Sequence, residues 1–191
     1  MALHVSGLEY EHREVLLRDK PDAMLDASPK GTVPIFITNQ GQVIDESLAI
    51  INYALSVNDP QDWLETLPAS QPFINIIDGE FKFHLDRYKY ASRYDDTKKR
   101  GDVDLKHRRA AITHLRLWEE GLKASPFLLG HSPSLADIAT FPFIRQFAAT
   151  EADWWSEGPL PNVRNWLTNW LESDLFKTIM IKHPVWNTDK S

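Results

Sequence analysis

The run Ser28-Pro29-Lys30-Gly31-Thr32-Val33-Pro34-Ile35-Phe36-Ile37 sets two prolines and a glycine around the start of an apolar, β-branched segment. That order leaves little choice of local structure. Pro29 and Gly31 end whatever precedes them, Val33 to Ile37 reads as a strand, and Asn39-Gln40-Gly41 is a turn into the second apolar pair, Val43-Ile44. A helix then begins at Asp45-Glu46-Ser47 and continues through Leu48-Ala49-Ile50-Ile51. Such a start puts acidic and hydroxyl side chains beside unpaired amide donors and the positive end of the helix dipole, a place that holds anions. Pro34 has no amide to give to a ladder. Its strand is therefore bulged, at a sheet edge, or turned so that the backbone of Val33 faces a ligand. On residue type alone, a trans Val33–Pro34 bond is the expectation.

The remaining composition narrows the function classes. With 191 residues, 42% hydrophobic content, seven Trp and nine Phe, the chain can bury one large core or two smaller ones. No run approaches the roughly 18–20 apolar residues that span a bilayer, so no membrane partner is expected. A net charge of −6 and a pI near 5.6 argue against nucleic acid or an anionic membrane surface as the main partner. The absence of cysteine excludes disulfides, a thiolate nucleophile and thiolate metal sites. Met1-Ala2-Leu3-His4-Val5-Ser6 lacks the basic and long apolar regions of a signal peptide, and a cytoplasmic location is expected.

Taken in order, Met1 to Ser6 reads as the end of an amphipathic helix stopped by Gly7. Leu8 to Leu17 alternates loosely, as a half-exposed edge strand does, and a short helix around Ala23-Met24-Leu25 precedes the Ser28-Pro29 break. Polar, proline-marked sequence then suggests a linker at 58–69 between domains 1–57 and 70–191. Beyond it the periods are helical: Phe73, Ile76, Ile77, Phe81, Leu85 and Tyr88 share one face, and Leu105, Ile112, Leu115, Trp118 and Leu122 share the next. Ser134-Leu135-Ala136-Asp137 is a capping box, and Pro142 should bend the helix that follows. One final helix is expected from Val163 to Ile179, with a loosely held tail at 182–191.

Two tempting clusters are weaker than they look. Lys98-Lys99-Arg100 and Lys106-His107-Arg108-Arg109 are interleaved with Asp95, Asp96, Asp102 and Asp104, which describes a solvated helix start better than a nucleic-acid surface. Asp78, Glu80, His84 and Asp86 have no second histidine at ligand spacing, so no metal is expected.

The whole ordered motif resembles the glutathione-binding half of the cytosolic glutathione transferases, in their bacterial-type branch: Ser-Pro-Lys-Gly-Thr-Val-Pro, an apolar strand, a glycine turn, Val-Ile-Asp-Glu-Ser and Ala-Ile-Ile-x-Tyr. Leu128-Leu129-Gly130 with Leu135-Ala136-Asp137 resembles a passage of the family's helical half. The resemblance implies a thioredoxin-like α/β N-terminal domain, truncated at its start, joined to an all-α C-terminal domain of about five helices. It implies a cis Pro34, with Val33 offering its backbone to the cysteinyl part of glutathione. Glu46 and Ser47 match the pair that holds the γ-glutamyl end, and Lys30 falls near the glycyl carboxylate. Glutathione is then the co-substrate, no metal takes part, and the thiol is conjugated to a small hydrophobic electrophile. That electrophile would lie in a pocket supplied by the second half, for which Phe83, Tyr88 and Tyr94 are candidates. A homodimer is the implied assembly.

One departure bears on catalysis. The family's thiol-activating Tyr, Ser or Cys follows its first strand, whereas only Met1 to Gly7 stands here before the second. The expectation is a chain that starts late, at an internal Met, with its activity restored once the upstream segment is returned. Tyr10 sits within the expected second strand and reads as a packing residue, so the catalytic residue stays unassigned. Without its neighbour, Glu9 to Leu17 should be displaced from the sheet. The alternative is a non-catalytic glutathione-fold module that binds partners.

Overall fold

The computed structural model describes residues 1–186, which cluster into two units: Met1–Gln61 together with 174–186, and Asp62–Ser173. The first unit opens with α1 (Ala2–Val5), which ends at Gly7 with φ of 68°, and the Asn58 side-chain amide donates to the Ser6 carbonyl at 2.9 Å. After α2 (Asp22–Ala27), the expected hairpin forms as β1 (Phe36–Ile37) antiparallel to β2 (Val43–Ile44), with Phe36 opposite Ile44 and Ile37 opposite Val43. Gly41, at φ of 80°, makes the turn, and the Thr38 amide donates to the Gln42 carbonyl at 2.9 Å. Because Thr38 and Phe36 direct their backbone groups toward β2, alternation turns those of Ile35 and Ile37 to the opposite edge. The helix α3 (Ser47–Val57) follows, burying Ile50, Ala54 and Leu55, and Tyr53 lies against Phe36 with ring centroids 5.5 Å apart.

The edge strand that the alternation over 8–17 suggests and the loose tail are corrected, whereas the expected displacement of residues 9–17 from the sheet is met. Among the described residues, 9–17 form no strand of the sheet; Glu14 pairs in parallel with Val185, and its carbonyl accepts from the Trp186 amide at 2.8 Å. The alternating pattern misleads because its apolar members have little to bury against: Leu16 and Leu17 remain exposed where the chain turns back at Asp19. The tail, expected to be loose, is held by the same contacts. His12 stacks on His183 at 4.1 Å, and the Arg13 guanidinium lies 4.6 Å over the Trp186 ring. Residues 187–191, the rest of that expected tail, lie outside the described residues.

The second unit is helical. α4 (Leu67–Ile76) passes through a wider turn at Ile77–Phe81, where Gly79 departs from helical geometry, into α5 (Lys82–Lys89). Phe73, Ile77, Phe81, Leu85 and Tyr88 are buried along it, as their spacing requires. α6 (Leu105–Gly121), α7 (Leu135–Thr150), α8 (Ala152–Ser156) and α9 (Pro161–Glu172) complete the unit. Phe73 meets the Trp118 ring edge-on at 5.1 Å, and the Trp118 indole N–H donates to Thr140 Oγ1 at 3.2 Å. α7 continues through Pro142. Its first amides, orphaned as at any helix start, find acceptors on the preceding elements: Leu135 N–H donates to Thr66 Oγ1 at 3.0 Å and Ala136 N–H to Ser70 Oγ at 2.9 Å.

Asp137 sits at the centre of this unit, fully buried. Its Oδ1 accepts from the Leu128 amide at 3.1 Å and the Trp166 indole at 2.8 Å, and its Oδ2 accepts from the Ser134 amide at 3.0 Å and the Ser134 hydroxyl. Burial pushes this carboxyl above its ordinary range, against donors that favour the charged form. The single final helix expected over Val163 to Ile179 is two: extended backbone at Ser173 ends α9, and α10 (Asp174–Ile179) belongs to the first unit.

Candidate functional site

The predicted binding residues fall into two groups. Lys30 and Glu46 meet directly, with Lys30 Nζ 2.8 Å from Glu46 Oε1 and 3.2 Å from Asp45 Oδ1. Behind them the buried Ser28 hydroxyl donates to Asp45 Oδ2 at 2.8 Å. Glu46 is the N-cap residue of α3, yet no side chain caps the helix, and Ser47 is its first residue, exposed. The start of α3 therefore presents free amide donors beside a hydroxyl, two carboxylates and an ammonium.

Val33 and Pro34 make up the second group. Their peptide bond is cis, and the exposed Val33 lines a groove of about 480 Å³ with Tyr10, Met24, Ile35, Ile37 and Trp186. Lys30, Glu46 and Ser47 do not line that groove. Gly31 holds the turn between the two groups at φ of 59°, a conformation that strains any residue with a Cβ, and a Cβ there would also sit 3.2 Å from Leu25 Cδ2.

The Ser28 and Asp45 link was not legible as an interaction, since seventeen positions separate the partners. The Ser28 hydroxyl, and after it the Lys30 ammonium, hold the Asp45 carboxyl below the usual carboxylate range. A group with a depressed folded pKa stabilises the fold above its ordinary pKa, and that stabilisation is lost as pH falls through the folded value. An NMR titration of the Asp45 carboxyl is thus expected to show a midpoint below about 3.9, moving up in Ser28→Ala. A midpoint unchanged in that variant would show that the link does not tune it.

Among the pocket candidates, Tyr88 is corrected to a core residue. It is fully buried, its hydroxyl donates to Glu151 Oε2 at 2.7 Å, and Arg108 Nη1 donates to the same oxygen at 2.8 Å. Burial pushes its phenol well above the ordinary value. Phe83 and Tyr94 are exposed, and the Arg87 guanidinium faces both rings, at 3.5 and 4.4 Å. Tyr94 also lines a cleft of about 530 Å³ with Arg87, Asp104 and His107. In the cluster of Asp78, Glu80, His84 and Asp86, Asp86 pairs with Lys82 at 2.8 Å, and Glu80 lies 3.6 Å from His114. Among the described residues no group of three or more His, Asp and Glu is arranged to hold a metal ion.

Two family models match consecutive parts of the chain: glutathione S-transferase, N-terminal domain, over residues 1–61, and glutathione S-transferase, C-terminal domain, over residues 61–169. The chain belongs to the glutathione S-transferase family. This transferase-family chain is 25% identical over 179 residues to glutathione S-transferase U19 of Arabidopsis thaliana, covering 91% of the chain and 79% of that protein. Over 157 residues it is 27% identical to mouse glutathione S-transferase omega-1, covering 79% of the chain but only 62% of that relative's length. The fold matches a glutathione S-transferase from Rhodospirillum rubrum F11 with a TM-score of 0.71 at 20% identity, covering 97% of this chain and 87% of that one. It also matches a glutathione transferase homologue from Sulfitobacter with bound glutathione, with a TM-score of 0.70 at 17% identity, covering 93% and 88%. Thioredoxin-like and all-α halves are thus the architecture of this family member, its α/β half carrying a two-stranded sheet among the described residues. No described helix is long and apolar enough to cross a membrane.

Proposed function

We propose that the α/β unit binds glutathione and that the protein conjugates the glutathione thiol to small hydrophobic electrophiles. The start of α3 carries the reading. Uncapped amides and the Ser47 hydroxyl are donors for an α-carboxylate, and Asp45 and Glu46 are acceptors for an α-ammonium, so one helix turn offers both halves of a zwitterionic γ-glutamyl end. Lys30 pairs with Glu46 and is the cation at hand for the tripeptide's second carboxylate. The Val33 backbone is the proposed partner of the cysteinyl segment, paired as an added strand would be. In support, the family model spans all of these residues, and the Sulfitobacter homologue holds glutathione.

The chemistry asks for a thiolate attacking an electrophilic carbon, with the leaving group departing or a double bond taking up the electrons and a proton. No metal is required. A cytoplasmic homodimer goes with the same reading. Glutathione titrated into the protein by calorimetry, with amide shifts followed by NMR, is expected to saturate and to move Val33, Glu46 and Ser47. No saturable binding would overturn the proposal. Thioether formation is measured separately against free glutathione: acceleration supports the transferase, and binding without acceleration supports the non-catalytic module instead.

A further inference from the structure

Two helices of the second unit meet through a pair of imidazoles. His84 on α5 and His107 in the first turn of α6 face each other with their Nδ1 atoms 2.7 Å apart, a hydrogen bond in which one ring donates and the other accepts. Phe83 sets its ring edge-on to both, 5.1 Å from His84 and 5.9 Å from His107 between centroids. Further along α6, His114 stacks on His84 at 5.8 Å with the ring planes 24° apart, and Glu80 Oε2 lies 3.6 Å from His114 Nδ1. All three imidazoles are half-buried. The start of α6 is also tied to α5 by its backbone, the Asp104 amide donating to the Tyr88 carbonyl at 3.2 Å. His107 lines the 530 Å³ cleft with Arg87, Tyr94, Asp95, Asp96 and Asp104.

From this geometry we propose that the His84–His107 hydrogen bond is a pH-sensitive latch that holds the first turn of α6 against α5 near neutral pH and releases it in mild acid, widening the cleft. The bond exists only while one of the two Nδ1 atoms lacks a proton. A first proton, taken at Nε2 of the donating ring, leaves it in place, because an imidazolium Nδ1–H still donates to the neutral neighbour. A second proton occupies the accepting Nδ1. Two N–H groups and two positive charges then face each other, and the rings turn apart. The surroundings oppose both protons. His84 faces His114 and Arg87 as further cations, with Glu80 as the opposing anion; His107 faces Arg87 and Lys106 against Asp104, with Asp95 and Asp96 on the same cleft wall. Burial above all, and then the neighbouring cations, hold both rings below the ordinary histidine value of 6.5. His107 also sits at the positive end of the α6 dipole, where a cation is disfavoured. Because the folded rings take protons less readily than unfolded ones, the unit is most stable above that ordinary value and loses stability as the pH falls below it.

Nitrogen-resolved NMR of the whole protein, taken from about pH 8 to about pH 5 across the histidine range, tests the latch. At the upper end a scalar coupling between the two Nδ1 nuclei is expected, together with a cross-peak between the Phe83 and His107 rings. At the lower end the coupling should vanish and the cross-peak should fall several-fold. Amide exchange over residues 105–109, corrected for its intrinsic pH dependence, should speed up there by about tenfold or more. His84→Phe keeps a ring on α5 but cannot form the bond, so the corrected exchange should be fast throughout and nearly independent of pH. In His107→Phe the His84 ring should titrate in a single step, at a higher pH than the second step of the pair. Thermal melts at the upper pH check that the variants fold, and the wild-type measurements decide the matter without them. A coupling absent at the upper end, or a coupling or ring cross-peak that persists unchanged at the lower end, would overturn the proposal. So would an acid-induced rise in exchange that survives in H84F. The stacked His12 and His183 of the first unit are the control: H12A/H183A should leave the coupling and the exchange over 105–109 as they are, and a loss of either would count equally against the latch.

Discussion

Asp137→Ala is expected to cost the helical unit about 3–5 kcal/mol, the loss typical of removing a buried, fully hydrogen-bonded charged group. The reason is what the carboxylate leaves behind. Three N–H donors, from Leu128, Ser134 and the Trp166 indole, converge on it, and each buried donor without an acceptor costs about 1–3 kcal/mol. The losses do not simply add, because the three share one cavity and one relaxation. They span the Leu128 loop, the start of α7 and the face of α9, so one substitution loosens three separate connections. Against a total stability of about 5–15 kcal/mol, such a loss is visible in any denaturation curve. Asp137→Asn keeps the shape and one acceptor oxygen but aims an amide N–H₂ at existing donors, and an intermediate loss is expected. Urea unfolding followed by tryptophan fluorescence checks both; a deficit below about 1 kcal/mol for the alanine variant would show that water or rearrangement satisfies the donors.

Ser47→Ala should weaken glutathione binding by about 10- to 150-fold. A hydrogen bond to a charged group contributes about 1.5–3 kcal/mol, and each 1.4 kcal/mol is tenfold in affinity. Ser47 is exposed at the first position of α3, so the fold itself should be nearly indifferent to the change. Lys30→Ala makes the contrast. Its contacts with Glu46 and Asp45 are exposed ion pairs of the kind that contributes about 0–1 kcal/mol. Removing them frees Glu46 for a ligand ammonium while withdrawing a cation from the second carboxylate, so a change of less than about fivefold is expected. Equal affinity of wild type and Ser47→Ala in calorimetry would place the ligand elsewhere.

How much of this was legible in the sequence depended on the range of the interaction. The hairpin and α3 were, because Gly41, the β-branched run and the acidic helix start act over a few residues. So was the buried face of α4 and α5, which periodicity alone demands. The displacement of residues 9–17 from the sheet was legible in the missing neighbour, but their partner was not: an alternating pattern describes any segment with one covered side, and Glu14 is fixed by Val185, far along the chain. Ser173 broke a helix whose apolar period ran on undisturbed, since nothing in hydrophobicity marks one residue of extended backbone. Within the candidate site, Lys30, Val33, Pro34, Glu46 and Ser47 were named from an ordered motif. The direct Lys30 to Glu46 contact and the separation of both from the Val33 groove are products of folding. The hydrogen bond between the His84 and His107 rings shows the same limit: twenty-three positions separate its members, and the packing of α5 on α6 brings them together.

The pairing of Glu14 with Val185 and Trp186 also sets an order of events during synthesis. Domains usually fold from the N-terminus as the chain emerges, but here the first unit is discontinuous and is closed by residues 174–186, which follow the whole helical unit in the chain. The helical unit, contiguous from Asp62 to Ser173, is complete in sequence before the ribosome has delivered the segment that pins His12, Arg13 and Glu14. Residues 12–14 must therefore wait for their partner until the whole helical unit has been made.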